Sequence, residues 1–424
     1  MGNLTPDQQT ALAALHRFVQ SPERLFLLTG YAGTGKTTLL QRFIQELRAG
    51  GDDRPIVLTA FSNKATKVLA QMAWQWDLAL DTMTCCRLLG LRPVLDEESG
   101  QQVFRPDRDQ RSQVSKYALV IVDECSMVNG ELWQFLREAI APLLPPVQLL
   151  LVGDPAQLPP VGERESPCFR EVSQRAALTE VVRYGNAIGA IAAALRQNLE
   201  RPTFPAFRSD INPDRTEGCF VLSQASWEKH LLRAFQSDGY HRDPDRVRAL
   251  AYTNRRVGEL NRMIRTALYG HGVPRFIEGE RLIAVSPCLR GENIVLPTSA
   301  ECEVTTIERG TDGLWPVWLL SVLTEEGDRR VLKVLDREGE PRWHQQLAEL
   351  AAAKRWLEFW QLKQRFHEVD YAYSLTVHKS QGSTFQDVFV DLPSLNQNRN
   401  PVERNQLGYV AFTRAAKRLF LYNP

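Results

Sequence analysis

The amino-acid sequence predicts an α/β protein built on two modules, each with a parallel β-sheet and crossover helices. In both halves of the 424-residue chain, short apolar runs alternate with helical patterns. This alternation is typical of parallel sheets, because parallel strands need a crossover connection. A glycine-rich turn also follows the first apolar run and precedes a helix. The length itself exceeds what one hydrophobic core usually supports.

Apolar runs of strand length supply the two predicted sheets. The predicted strands are Leu25–Thr29, Ile56–Thr59, Leu119–Val122 and Val147–Val152 in the first module, and Ala249–Tyr252, Val388–Asp391 and Leu419–Tyr422 in the second. The two modules are predicted to meet near Tyr184.

Two segments interrupt this alternation. Leu91–Pro106 contains two short extended runs around Ser99 and Gly100, which predicts a hairpin inserted in the first module. Phe276–Asp370 begins with strands and becomes helical from about Trp343 to His367, which predicts a small β-rich domain inserted in the second module. Its predicted strands are Leu282–Val285, Val317–Val322 and Val331–Leu335.

These observations give expected domain boundaries. The first module spans 1–183, with its insertion at about 89–113. The second module spans 184–275 and 371–424, and the β-rich insertion spans 276–370.

The composition bears on three properties: cellular location, structural zinc and nucleic-acid binding. The N-terminus lacks the basic start and apolar core of a secretion signal, and no run approaches the ~20 apolar residues that cross a bilayer. We therefore expect a cytoplasmic protein without a membrane partner, nucleoid-associated in a prokaryote. The seven cysteines lack zinc-ligand spacing, so no structural zinc is expected. A net charge of +1 neither supports nor excludes nucleic-acid binding.

Gly30–Thr37, GYAGTGKT, matches the phosphate-binding loop pattern. The glycines allow backbone N–H groups to point into the loop and bind phosphate oxygens. Lys36 would neutralise the β- and γ-phosphates, and the Thr37 hydroxyl would bind Mg²⁺. The position between a strand and a helix is the context that this pattern requires.

Two further strand ends carry polar side chains. Asp123 and Glu124 follow a buried run, where a carboxylate can bind the magnesium ion and its neighbour can deprotonate an attacking water. The turn Gly153–Pro160 carries Gln157, an amide that could sense the γ-phosphate. These side chains indicate nucleotide hydrolysis.

Eight segments, in their order and spacing, resemble the motifs of superfamily 1 DNA helicases of the RecD/Dda type, the 5′-to-3′ branch. The segments are Leu4–Gln8, Gly30–Thr37, Thr59–Ala65, Asp123–Ser126, Gly153–Pro160, Leu178–Arg183, Thr376–Phe385 and Gly408–Ala415. The resemblance covers nearly the whole chain. It departs from the family at Cys86, where relatives carry a histidine after the threonine that corresponds to Thr84.

The resemblance implies two RecA-like P-loop domains, an SH3-like insertion in the second, and ATP with Mg²⁺ bound between the domains. Gln8 would read adenine, and Arg183 and Arg414 would act as arginine fingers. The implied catalytic residues are Lys36, Glu124, Gln157, Arg183 and Arg414. The implied nucleotide-binding residues are Gln8, Gly30, Ala32, Gly33, Thr34, Gly35, Lys36, Thr37, Thr38 and Gly382, and the metal ligands are Thr37 and Asp123.

Single-stranded DNA and duplex or forked DNA are the implied partners, bound largely without sequence preference. The predicted DNA contacts are Thr59, Phe61, Asn63, Lys64, Thr84, Asn254, Thr376, His378 and Lys379. Hydroxyls, amides and lysines suit phosphate contacts, and an aromatic ring can stack on a base. The chain is expected to act as a monomer, with replication or repair proteins as further partners of unknown identity.

Three functions fit this set of residues. The first is an ATP-dependent helicase that moves 5′ to 3′ on single-stranded DNA and separates duplexes. The second is a translocase that displaces proteins from DNA, and the third is a motor subunit of a recombination or repair complex. The hairpin at Leu91–Pro106 favours strand separation, since a motor needs a rigid element at the fork.

Trp356, Phe359 and Trp360 recur at helical spacing. This periodicity predicts that their rings pack into a core rather than stack on bases.

Overall fold

The computed structural model describes residues 4–95, 102–107, 110–142, 144–180, 187–290 and 293–422. The chain divides into two compact units. The first unit comprises residues 1–92, 106–257 and 375–424, and the second comprises 93–105 and 258–374. The predicted α/β class with parallel sheets is confirmed.

The strands of the described residues overlap every predicted strand of the two modules. In chain order they are β1 (Leu25–Gly30), β2 (Ile56–Ala60), β3 (Asp81–Thr84), β4 (Leu91–Leu95), β5 (Gln102–Pro106), β6 (Leu119–Val122), β7 (Gln148–Gly153), β8 (Arg175–Leu178), β9 (Asp210–Ile211), β10 (Gly218–Leu222), β11 (Val247–Ala251), β12 (Arg281–Ala284), β13 (Cys288–Arg290), β14 (Asn293–Leu296), β15 (Glu301–Asp312), β16 (Trp315–Thr324), β17 (Arg329–Leu335), β18 (Val369–Tyr371), β19 (Ser374–Thr376), β20 (Phe385–Val390) and β21 (Ala415–Tyr422).

The helices lie mainly between strands of the two modules, as crossover connections require. In chain order they are α1 (Pro6–Gln20), α2 (Lys36–Ala49), α3 (Asn63–Gln75), α4 (Cys85–Leu89), α5 (Gly130–Ile140), α6 (Pro167–Glu171), α7 (Ala187–Arg196), α8 (Gln224–Phe235), α9 (Asp238–Arg242), α10 (Asn254–Tyr269), α11 (Glu340–Ala352), α12 (Trp356–Lys363), α13 (Leu392–Leu395) and α14 (Pro401–Thr413). Short 3₁₀ turns occupy Val114–Lys116, Cys125–Met127 and His378–Ser380.

The first sheet has the strand order β3-β2-β6-β7-β1-β8, and all of its neighbouring strands are parallel. Phe18, Phe43 and Leu150 belong to the buried core that packs the helices against this sheet. Strands β6, β7 and β1 are consecutive neighbours. Since parallel strands end at the same edge, the loops after these three strands lie side by side.

The second sheet, also in the first unit, has the order β19-β11-β20-β21-β10-β9. The β11-β20-β21-β10 pairs are parallel, and β9 runs antiparallel at the edge. Phe389 and Phe420 stack with ring centroids 4.2 Å apart, and the fully buried Trp227 donates its indole N–H to Phe420 O at 3.1 Å. Helix α14 packs against α7 beside this sheet.

The second unit contains an antiparallel sheet of order β17-β16-β15-β12-β18. Helices α11 and α12 bury Trp343 and Leu362 against Trp315, Leu335 and Phe366. A β-rich segment followed by helices was predicted here, and the described strands and helices have this order.

The segment predicted as a hairpin forms the two-stranded pair β4-β5, and its residues 93–105 belong to the second compact unit. Its predicted turn at Ser99 and Gly100 falls at residues 96–101, outside the described residues.

The prediction for the three aromatic residues of α12 holds only in part. Phe359 packs against the core of the second unit, and Trp360 is half-buried. Trp356 is 54% exposed at the first position of the helix, so its assignment to a core was wrong. Helical spacing places side chains on one face, but the helix begins at Trp356, before that face reaches the core.

None of the helices in the described part of the chain combines the length and the apolar character that a membrane crossing requires.

Gly90 forms the turn that connects α4 to the hairpin. It adopts a left-handed conformation with φ +65°, and a Cβ atom there would lie 2.6 Å from Gln110 O. Replacing Gly90 with alanine should therefore add steric overlap to backbone strain and cost about 2–5 kcal/mol. Gly51→Ala is the matched control, because Gly51 has φ +80° but a Cβ there would meet no atom within 4 Å. Thermal unfolding should show the larger loss for Gly90→Ala; equal losses would contradict the steric explanation.

Candidate nucleotide and DNA site

The phosphate loop connects β1 to α2, as the sequence predicts. Gly35 precedes α2 in a left-handed conformation, φ +81°, and a Cβ there would lie 2.6 Å from the Gln8 amide nitrogen. The Lys36 ammonium donates to Gly30 O at 2.6 Å and to Tyr31 O at 3.1 Å. The lysine cation therefore lies on the loop itself, where its bound carbonyl groups can be exchanged for phosphate oxygens.

The Gln8 side chain forms hydrogen bonds with the phosphate loop and with the residue that precedes α1. This side chain and Thr5 form a reciprocal capping box at the start of α1, and its Nε2 donates to Thr34 O at 2.9 Å. The residue is 4% exposed. Both ends of the amide thus bond within the protein in this conformation, and the predicted role in reading adenine stays a prediction. The Thr-x-x-Gln spacing was the available signal for the capping box.

The other predicted nucleotide-binding residues in and after the loop differ in their exposure to solvent. Thr34 is buried and donates its hydroxyl to Tyr31 O at 2.8 Å. In the first turn of α2, Thr37 is half-buried and Thr38 is exposed. Gly33 is left-handed, φ +81°.

Gly382 comes from the second module and lies close to the first. A Cβ there would lie 3.3 Å from the Ala65 Cβ, at the start of α3. Its predicted nucleotide contact stays a prediction.

Asp123 and Glu124 lie at the carboxyl end of β6. The N–H of Asp123 donates to Thr59 O at 2.8 Å, and its Oδ1 accepts the N–H of Glu124 at 2.9 Å. Burial and the adjacent Glu124 charge raise the pKa of Asp123 to about 6, against the opposing effect of Lys36. Glu124 has φ 54°, an uncommon left-handed conformation for a non-glycine residue. Two adjacent half-buried carboxylates therefore concentrate negative charge at this strand end.

This donor set fits Mg²⁺. A half-buried carboxylate at Asp123 and a hydroxyl at Thr37 are hard oxygen ligands, and a divalent cation would offset the unfavourable charge of the Asp123–Glu124 pair. No group of three or more His, Cys, Asp or Glu side chains suited to a metal occurs in the part of the chain that the structure describes. Mg²⁺ usually keeps water and phosphate ligands, so two protein ligands suffice.

Asp154 and Gln157 occupy the turn after β7, and both are buried. Asp154 Oδ1 accepts the N–H of Ala156 at 2.9 Å, which shapes the turn. The Gln157 side-chain oxygen is buried without a hydrogen-bond partner among the described residues. Buried polar atoms are usually hydrogen-bonded, so this oxygen is a candidate acceptor for a ligand or a water molecule.

The second sheet's helices reach the phosphate loop. Tyr409 of α14 places its hydroxyl 2.8 Å from the Ala32 nitrogen and donates to Asp154 Oδ2 at 2.5 Å. The Arg196 guanidinium, at the end of α7, lies 4.0 Å from the centroid of the Tyr31 ring. The sequence motifs include Asp154 and Tyr409, but they gave neither residue a role. Arg196 was missed completely, because a lone helical arginine carries no signal.

Of the two predicted arginine fingers, the structure describes only Arg414. Arg183 lies at 181–186, outside the described residues. Arg414 is 5% exposed, and its guanidinium donates to Val410 O, Ser383 O and the Thr413 hydroxyl. In this conformation these bonds hold the guanidinium within the second module, and its predicted role as an arginine finger stays a prediction.

Two of the predicted DNA contacts are buried in the sheets. Thr59 is fully buried and donates its hydroxyl to Ile121 O at 3.1 Å. Thr376 is 7% exposed, and its hydroxyl accepts the N–H of Lys379 at 3.3 Å. Neither hydroxyl faces a surface that DNA could reach, so a direct phosphate contact through these side chains is not supported. Every residue of β2 and β19, the strands that contain these threonines, is buried.

The other candidates surround the strand ends of the two sheets. The Thr84 side chain caps α4. His378 lies 3.9 Å from Glu403, and burial lowers the pKa of this histidine. Lys64 pairs with Asp245 at 3.2 Å and lies 4.8 Å from the centroid of the Phe385 ring. Phe61, Asn63 and Lys379 are half-buried, and Asn254 is exposed at the start of α10.

Comparison with known proteins gives two family matches in the expected order. Residues 13–163 match the AAA domain family, and residues 371–422 match the UvrD-like helicase C-terminal domain family. The chain is 26% identical over 460 residues to the ATP-dependent DNA helicase dda of Enterobacteria phage T4, covering 99% of both chains. It is 26% identical to the ATP-dependent DNA helicase Pif1 of Bdellovibrio bacteriovorus, covering 92% of this chain and 82% of the relative.

Solved structures share the fold. A Bacteroides Pif1 helicase in complex with ADP-AlF3 and single-stranded DNA superposes with a TM-score of 0.51 at 16% identity, covering 100% of this chain and 93% of that one. A Pif1 structure on DNA unwinding at forked duplexes gives a TM-score of 0.52 at 16% identity, with 99% and 92% covered. The order of the two matched families and the relatives that align along nearly the whole chain support a superfamily 1 helicase of the RecD/Pif1/Dda type.

Proposed function

We propose that this chain is an ATP-dependent DNA helicase that moves 5′ to 3′ along single-stranded DNA and separates duplexes. One observation carries the proposal: the Asp123–Glu124 pair lies within electrostatic reach of the Lys36 ammonium in a complete phosphate loop, at the ends of β6 and β1, the two parallel strands that flank β7. Relatives named ATP-dependent DNA helicases align along nearly the whole chain, which supports the same activity here.

In this proposal each side chain at the loop has one task. Lys36 releases the Gly30 and Tyr31 carbonyls and binds the β- and γ-phosphates. Thr37 and Asp123 hold Mg²⁺, which when bound neutralises developing charge on the phosphate oxygens. Glu124 accepts a proton from the water that attacks the γ-phosphorus, and ADP is the leaving group. Arg183 and Arg414 remain the proposed arginine fingers.

Single-stranded DNA would bind across the strand ends of both sheets. The proposed contacts are those predicted side chains that are not committed to the sheet interior: Phe61, Asn63, Lys64, Thr84, Asn254, His378 and Lys379. Phe61 would stack on a base, while the lysines and amides would bind phosphates without reading sequence. The Lys64–Asp245 ion pair would open when a phosphate replaces the carboxylate.

Two variants of the phosphate site test the hydrolytic function. Lys36→Ala should lower the ATPase rate in the presence of single-stranded DNA at least about 10²-fold, because it removes charge stabilisation at the phosphates. Glu124→Gln should lower the rate about 10²–10⁴-fold yet still bind ATP, since only the proton acceptor is lost. Lys116→Ala, which removes an exposed lysine of the same module, is the control and should leave the rate unchanged.

The ATPase rate of the unmodified chain should rise with single-stranded DNA and fall with added salt, because phosphate contacts release counterions. Equal rates with and without DNA would contradict the proposal, as would a wild-type rate for Lys36→Ala.

The raised pKa of Asp123 gives a stability test of the metal site. The folded-state pKa, about 6, lies above the ordinary value of 3.8 for an aspartate. Folding therefore favours the protonated carboxyl, and the contribution of this group to stability is lost as the pH rises from about 4 through about 6. Asp123→Asn should raise the midpoint of thermal unfolding at pH 8 in EDTA, by an amount that shrinks towards pH 5.

Added Mg²⁺ with ADP should raise the midpoint of thermal unfolding more for the unmodified protein than for Asp123→Asn, because the variant lacks the carboxylate that would bind the metal. A variant no more stable than the unmodified protein at pH 8 in EDTA would show that the Asp123 carboxylate is not destabilised by its surroundings.

A further inference from the structure

The N–H of Ala32 in the phosphate loop has two acceptors from outside the loop. Asp154 Oδ2 lies 2.9 Å away and the Tyr409 hydroxyl lies 2.8 Å away. That hydroxyl in turn donates to the same Asp154 oxygen at 2.5 Å. Three segments distant in sequence therefore share one hydrogen-bonded cluster: the phosphate loop, the turn after β7 and helix α14.

Both side chains are enclosed. Asp154 has 0% and Tyr409 has 1% of its surface exposed. Water is thus excluded from replacing either partner, and a buried polar group that loses its partner is strongly disfavoured. If α14 moves away from the loop, Ala32 and Asp154 must either move with it or form hydrogen bonds with other groups.

The cluster is reinforced on both sides by the second sheet's helices. Gln406, one turn before Tyr409 on α14, donates to the Gln157 carbonyl at 3.2 Å. Arg196, from the helix that packs against α14, lies over the ring of Tyr31, next to Ala32. The contact therefore joins the nucleotide loop and the Gln157 turn to a single helix pair of the second module.

The charge of the cluster depends on the phosphate site. Asp154 feels the positive charge of Lys36 and the negative charge of Glu124. Burial raises the pKa of Asp154, while Lys36 and the Tyr409 hydroxyl oppose this change. When phosphate binds Lys36, that cation is shared with a new anion and negative charge arrives beside Asp154. The bonds from Asp154 to Ala32 and Tyr409 must then strengthen or rearrange.

We propose that Asp154 and Tyr409 are positioning residues that couple nucleotide occupancy of the phosphate loop to the position of α14, and hence to the DNA affinity of the second module. This inference rests on the proposed function. Neither residue is assigned contact with substrate or reacting atoms. Their role is to link two binding events, which by thermodynamic reciprocity changes DNA affinity with nucleotide and nucleotide affinity with DNA.

The coupling can be measured directly. The affinity for a fluorescent oligodeoxythymidine is determined by anisotropy without nucleotide and with ATPγS and Mg²⁺, in the unmodified protein, Tyr409→Phe, Asp154→Asn and the double variant. The ratio of the two affinities is the coupling factor. Tyr409→Phe should move this factor at least about 5-fold towards 1, while the affinity for ATPγS without DNA changes less than about 3-fold.

Tyr422→Phe is the matched control. Tyr422 is also buried in the second module, and its hydroxyl also bonds to an aspartate, Asp391 at 3.0 Å, but it lies on β21 and not on the phosphate loop contact. It should lower the thermal midpoint about as much as Tyr409→Phe and leave the coupling factor unchanged. The double variant Tyr409→Phe/Asp154→Asn should match the stronger single variant, because both changes break one linkage.

A wild-type coupling factor in folded Tyr409→Phe, or an equal loss of coupling in Tyr422→Phe, would overturn the proposal, as would effects of Tyr409→Phe and Asp154→Asn that simply add. If the unmodified protein itself shows no DNA-stimulated hydrolysis, the proposed function fails, and this outcome is distinct from a motor that is active but coupled through other residues.

Discussion

Three carboxylates lie around one ammonium group at the phosphate loop. Asp123 and Asp154 both feel the charge of Lys36, and Glu124 raises the pKa of each of them. Such an excess of negative charge is costly where burial reduces hydration, and Asp154 is fully buried while Asp123 and Glu124 are half-buried. In the proposed function a divalent cation would offset this cost, and the nucleotide phosphates would compete for the same lysine. Binding of nucleotide and metal would then be linked to every segment that carries one of these carboxylates.

The sheet topology is what produces this arrangement. Strands β6, β7 and β1 are neighbours, so the Asp123–Glu124 pair, Asp154 and the phosphate loop follow from three adjacent strand ends. None of the three segments is near another in sequence. The second sheet adds Tyr409 through α14, which gives the nucleotide loop a contact that depends on both sheets. A charge change at the loop can thus reach the second module through one buried cluster.

Much of the fold could be predicted, because uninterrupted apolar runs such as Leu119–Val122 are fully buried parallel strands with few alternatives. The strand Glu301–Asp312 was missed for a physical reason. Its register shifts between Val304 and Thr306, so the alternation of apolar and polar residues that would reveal it is broken.

For the site, the sequence identifies the segments that carry it, but it does not identify the hydrogen-bond partners of each side chain. Whether an arginine such as Arg414 faces a ligand or closes its own helix depends on neighbours that the local sequence does not specify. Gln8 shows the same limit, since one amide suits adenine recognition and a capping box equally well.

Duplex separation is the property that distinguishes a helicase from an enzyme capable of hydrolysis or translocation alone. The most direct measurement is strand displacement with ATP and Mg²⁺, on matched duplexes that carry a single-stranded tail on either the 5′ or the 3′ side. A trap strand limits the reaction to one binding event. We expect release of the displaced strand from the 5′-tailed duplex, and little or none from the 3′-tailed duplex. DNA-stimulated hydrolysis with no strand release from either duplex, or release from the 3′-tailed duplex alone, would contradict the proposed function.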